Sequence, residues 1–214
     1  MGSEAAIASY FVAFMLTWHV VDLGRRRGRG YMATLAIVRG LRARHLGVGA
    51  CILVTTVIAF AAIQAALPWT SWGWWSLLGG SGSVVFGQSE AARSPGAGPI
   101  LGALPYVLPV LLALVVPTLA RLEERGFRRG LQRAPIARRA RVQLTFGLLH
   151  LLMGVPIAAG LALAITGALY LQVYLRRFRR TGSQGLALLE ATRAHTAANL
   201  LVVTVVALGL ALRA

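Results

Sequence analysis

The chain has no lysine and only six acidic residues, against twenty-two arginines. The absence of lysine fits a genome that favours arginine codons and carries no mechanism. There is one cysteine, Cys51, and it lies inside an apolar stretch. That excludes an intrachain disulfide and a thiolate metal cluster. No HExxH helix is present, so the usual zinc-protease motif is missing. The glycines of 79–87 follow no phosphate-loop pattern and precede no basic helix. No internal repeat is visible, which argues against a small alternating-access transporter.

What the chain does have is apolar length. Hydrophobic residues make up 57% of it, and the mean hydropathy is +0.69. They fall in blocks at 5–21, 46–68, 99–120, 142–175 and 194–212. A spanning helix needs about 20 such residues. The sequence therefore predicts an all-α, polytopic membrane helix bundle of about six transmembrane helices, forming a single integral domain over 1–214.

The net charge of +16 invites a nucleic-acid partner, but the arginine positions argue against one. Arg25, Arg26, Arg27, Arg29, Arg39, Arg42 and Arg44 lie between the first two blocks. Arg121, Arg125, Arg128, Arg129, Arg133, Arg138, Arg139 and Arg141 precede the fourth, and Arg176, Arg177, Arg179 and Arg180 follow it. Basic residues gathered in short loops at helix ends predict cytoplasmic loops in a plasma (inner) membrane. There they meet anionic lipid headgroups. The opening MGSEAAIASYF lacks the basic start of a secretory signal. It predicts a retained helix over 5–22 whose N-terminus lies outside.

The same reading gives a basic helix on the inner surface over 31–44, and a helix over 46–67. An extracytoplasmic loop over 68–98 follows, in which Trp69, Trp72, Trp74 and Trp75 form an interfacial belt. A third helix over 99–119 carries Pro105, Pro109 and Pro117, expected as kinks, and leads into a connection over 120–141. The long fourth block has basic residues at both ends, so it predicts two helices turning at Gly154–Pro156. The first member, 142–153, is short enough to need tilt, or an extension by the stretch 122–130 from the cytoplasmic side. Gly160, Ala164 and Gly167 stand at small-residue packing spacing. A last helix runs over 185–212.

Few ionisable side chains remain in apolar company: Glu123, Glu124, His150, Glu190, Arg193 and His195, with Asn199 as a neutral companion. A charge near the bilayer centre costs at least about 2.5–3.5 kcal/mol, so such residues are functional candidates. In LEERGFRRG, Glu124 and Arg128 are four apart with the acid first, the favourable order for a helical ion pair. Glu123 points about 100° away. This predicts that Glu124 holds the helix and leaves Glu123 to act, although both could equally offset a solvated arginine loop. FGLLH sets Phe146 and His150 on one face, and HTAAN does the same for His195 and Asn199. Each pair alone reads as packing or interhelical hydrogen bonding. Together they place a carboxylate, two imidazoles and an amide on polar faces that turn from lipid. Glutamate and histidine can activate water, and histidine with asparagine can donate to an oxyanion.

EExxxR, FxxxH and HxxxN, in that order, resemble the CPBP family of intramembrane glutamate proteases, the group of the CAAX prenyl endopeptidases and many bacterial relatives. The matched region spans 123–199, within a core of 120–200. The resemblance implies that Glu123 and His150 activate a water, and that His195 and Asn199 form the oxyanion site. It implies supporting roles for Glu124, Arg128 and Phe146, in a cavity open to the cytoplasm. Members usually carry apolar residues after the paired acids and glycine after the arginine. This chain has Arg125 and Gly126, then Arg129, with Gly130 one place later. The implied substrate is a membrane-anchored or secreted polypeptide, with no cofactor and no metal. A metal-dependent protease and a non-catalytic scaffold of the same substrates are the alternatives.

Overall fold

The computed structural model describes residues 29–78 and 99–212, with 14–19, 21, 22 and 25. The predicted first helix, in most of its length, and most of the glycine-rich loop lie outside the described residues. All regular structure among those described is helical. The longer elements are α1 (Arg29–Arg39), α2 (Ala43–Ala66), α3 (Pro99–Arg128), α4 (Ile136–Leu149), α5 (Ile157–Thr181) and α6 (Gln184–Ala211), with short 3-10 turns between. Four of them, α2, α3, α5 and α6, are long and apolar enough to cross a membrane.

The predicted surface helix over 31–44 becomes two elements. α1 stops at Arg39, and α2 begins at Ala43, where His45 Nδ1 accepts the Arg42 amide at 3.0 Å. Two hydrogen bonds are among the contacts that hold α1 to the bundle. Arg193 donates from Nη2 to the Ala36 carbonyl at 2.9 Å, and the Thr34 and Thr118 hydroxyls meet at 3.0 Å.

α3 departs most from the sequence reading. It runs unbroken through Pro105, Pro109 and Pro117 and continues to Arg128. Prolines are tolerated in such helices because neighbouring elements re-satisfy the freed backbone groups. The acidic pair therefore stands on a helix, not in a connection, and the solvated-loop reading of Glu124 is overturned. The chain turns only at Gly130, whose φ of 84° is left-handed and natural to glycine.

α4 begins directly after Pro135, so residues 136–141 lengthen the short block, whereas the stretch 122–130, expected as the extension, belongs to α3 and the turn after it. It is 14 residues long, roughly 21 Å. A 3-10 turn over His150–Met153 and a left-handed Gly154 end it, and Pro156 caps α5. The turn falls at the predicted place. The Trp74 indole donates to the Leu151 carbonyl at 2.6 Å, and the Ile157 amide donates to the Trp72 carbonyl at 3.0 Å. The tryptophan segment is thus fastened to the α4–α5 turn, with the Trp69 and Trp72 rings exposed.

Small residues set the spacing of the helices. Gly147 on α4 lies directly against the backbone of Gly160 and Ala164 on α5, leaving no room for a Cβ. A Cβ at Gly49 would stand 2.7 Å from the Ala198 amide of α6. α6 packs against α2, α3 and α5, and its buried face is mostly alanine. That close central packing brings His195 onto the acidic end of α3.

Candidate active site

Glu124 and Arg128 have fully buried side chains, and Arg128 Nε approaches Glu124 Oε2 at 3.4 Å. One turn of α3 separates them, so the helix itself creates the pair. The guanidinium also lies 4.3 Å from the Phe146 ring centroid and donates from Nη2 to the Gly167 carbonyl at 3.3 Å. Gly167 is needed there, because a Cβ would stand 2.8 Å from Phe146 Cδ1. The arginine thus ties α3 to both α4 and α5.

His195 supplies the link to α6. Its Nδ1 lies 3.0 Å from Glu124 Oε1, and its Nε2 lies 3.6 Å from Glu123 Oε2. One imidazole therefore addresses both members of the acidic pair. The 3.0 Å contact is a hydrogen bond, and the 3.6 Å approach is not. Glu123 Oε2 has no hydrogen-bond partner, yet the side chain is a third exposed. Glu124 is enclosed between Arg128 and His195, while Glu123 keeps part of its side chain exposed and has its buried Oε2 turned toward His195. The Glu124–Arg128 pair is the one expected from the helical spacing.

Aromatic rings complete the enclosure. Tyr170 of α5 stacks on His195 at 4.3 Å between centroids. Phe146 stands edge-on to Phe127 at 5.2 Å, to His150 at 4.9 Å and to His195 at 6.2 Å. Phe146 is thus the shared wall between the two histidines. His150 lies one turn further along, and its Nδ1 donates to the Phe146 carbonyl at 2.8 Å. In the neutral ring that leaves Nε2 as the acceptor. Asn199 follows His195 by one turn on α6 and is half-buried. The structure thus gathers Glu123, Glu124, Arg128, Phe146 and His195 in one cluster, with His150 against its Phe146 wall.

Tyr170 was not found by sequence reasoning, and Gly167 was expected only as a small packing residue, not as the acceptor of Arg128. Each looks like ordinary helix packing, and only the fold sets them against His195 and Arg128. His45 was missed for the same reason. Buried at the start of α2, it places Nε2 3.3 Å from Glu190 Oε1, and Arg44 pairs with the same oxygen at 3.1 Å. Glu190 and Arg193 therefore serve to fasten α1 and α2 to α6. Among the described residues, no group of three or more His, Cys, Asp or Glu side chains is placed to hold a metal ion. The chain matches no family model, no curated protein and no solved structure.

Proposed function

We propose that the chain is an intramembrane endopeptidase of the CPBP type, which hydrolyses a peptide bond of a membrane-associated polypeptide with water activated by Glu123. The observation that carries this reading is the His195 imidazole, held between Glu123 and Glu124. It joins two of the three motifs across 71 residues of sequence, and the third motif supplies the ring packed beside it.

In this mechanism Glu123 takes a proton from water, and the resulting hydroxide adds to the scissile carbonyl carbon. His150 Nε2 accepts a hydrogen bond from the same water and orients it. Nδ1 of His195 is occupied by Glu124, while Nε2 makes no hydrogen bond, so as imidazolium it donates to the developing oxyanion with the Asn199 amide. The C–N bond then breaks, and the proton held by Glu123 passes to the leaving amine. Glu124 and Arg128 keep the histidine in place and do not touch the substrate. The arginine-rich end of the bundle is the cytoplasmic one in this reading, as the loop charges favour.

The test is Glu123→Gln at matched abundance in cells, read by mass spectrometry of membrane-protein N- and C-termini. A processed terminus that vanishes with the substitution identifies the activity and its substrate together. If no terminus changes while deletion of the gene retains a phenotype, the chain is a scaffold and the reading fails.

A further inference from the structure

A pocket of about 470 Å³ lies between α1, the arginine-rich end of α3 and the start of α6. Glu123, Glu124, His150 and His195 are not among its lining residues. One part of the lining carries Arg121 and Arg125, four apart on one face of α3, and Arg129 from the turn just beyond its end. The lining from α1 and α6 is largely aliphatic, with Ile37, Leu188 and Leu189, and includes the Thr192 side chain. The first residues of the long helix α6, Gln184 and Gly185, close one side. The positive end of the α6 dipole adds to the field there.

The three guanidiniums are uncompensated among the described residues. Glu190 is taken by Arg44 and His45, Glu124 by Arg128 and His195, and Glu123 faces His195. None of the ion pairs among the described residues includes Arg121, Arg125 or Arg129. A concave site with three such guanidiniums and a largely aliphatic remaining lining selects an anion with an apolar body. A phosphodiester carries its negative charge on two unesterified oxygens, each able to accept from more than one guanidinium, and it is joined to an apolar body that a small free anion lacks. The site also stands where the apolar surface of the bundle gives way to arginine, at the depth of lipid headgroups.

We propose that this pocket is a specific binding site for the phosphate headgroup of an anionic phospholipid. Its arginines grip the phosphate, and Ile37, Leu188 and Leu189 receive the glycerol and first acyl carbons. The site is separate from the reacting groups, and it stands whether or not the chain cleaves peptides. It also accounts for the arginines at 125 and 129, where the resembling family carries other residues.

Native mass spectrometry of the full-length protein in detergent tests it, with phosphatidylglycerol against phosphatidylcholine of the same acyl chains. The expected result is tighter retention of phosphatidylglycerol. The double variant Arg125→Gln, Arg129→Gln should weaken it roughly tenfold or more, as expected for two charge-assisted contacts. The control Arg138→Gln, Arg179→Gln removes the same charge from exposed positions outside the pocket and should leave retention unchanged. Arg129→Gln alone should give the same direction at smaller amplitude, should the double variant lose yield. Equal losses in both double variants would mean diffuse attraction of anionic lipid and overturn the site. So would equal retention of the two lipids, or inorganic phosphate binding as tightly as the lipid.

Discussion

Removing Glu124 should destabilise the bundle at its centre, and removing its arginine as well should add little to the damage. Both side chains are fully buried, with Oε2 of Glu124 3.4 Å from Arg128 Nε. At an effective dielectric of about 20, unit charges at that distance attract by roughly 5 kcal/mol. Desolvation of both groups offsets much of this in the intact protein. In Glu124→Ala the attraction is gone but Arg128 remains buried, so the expected loss is about 3–5 kcal/mol. Arg128→Met strands Glu124 and should cost a similar amount. Glu124→Ala with Arg128→Met leaves neither charge stranded, although His195 still loses its 3.0 Å partner. The double variant should therefore lose about as much as one single variant, a coupling near ~3 kcal/mol, the upper end for contacting residues. Reversible unfolding of the purified protein in mixed micelles would measure all three. Losses that add within about 0.5 kcal/mol would show that the pair is not coupled and refute the argument.

His195→Ala should lower kcat by roughly a hundredfold or more with little change in KM, as for a donor to a developing oxyanion. A change confined to KM would move His195 out of the chemistry. Gly147→Ala forces a Cβ against the backbone of α5 and should destabilise by about 1–3 kcal/mol or more. Gly126→Ala, on α3 with open space around it, should stabilise by up to about 1 kcal/mol. The same unfolding assay reads both, and equal effects would refute the packing account. Cleavage by the purified protein should persist in a strong chelator, since the proposed water activation uses a carboxylate.

The helices were legible because apolar length announces them: α2 and α6 begin and end within three residues of their expected limits. The extent of α3 was not. Three prolines and the arginines that follow them read as a kinked helix over 99–119 and a connection, whereas the helix continues to Arg128 and buries the Glu124–Arg128 pair. The i, i+4 spacing did forecast that Glu124 would pair with Arg128. The tertiary partners were invisible, because no local pattern tells that the Gly167 carbonyl receives Arg128 or that Tyr170 lies flat on His195. Similarly, Glu190 stood out as a buried-looking acid, while its partner His45 sat unnoticed at a helix start.

The brevity of α4 changes what the surrounding lipid must do. From Val142 to Met153 the apolar part rises only about 20 Å, roughly two thirds of a hydrocarbon core. The close seam at Gly147 holds this part upright against α5 and leaves Leu144, Leu148, Leu149, Leu152 and Met153 exposed on its outer side. In a bilayer, acyl chains beside it would have to shorten to match, which would dimple the bilayer along this one flank. Water, the scarcest reagent in such an environment, would then have its shortest path to the end of α4, where His150 stands.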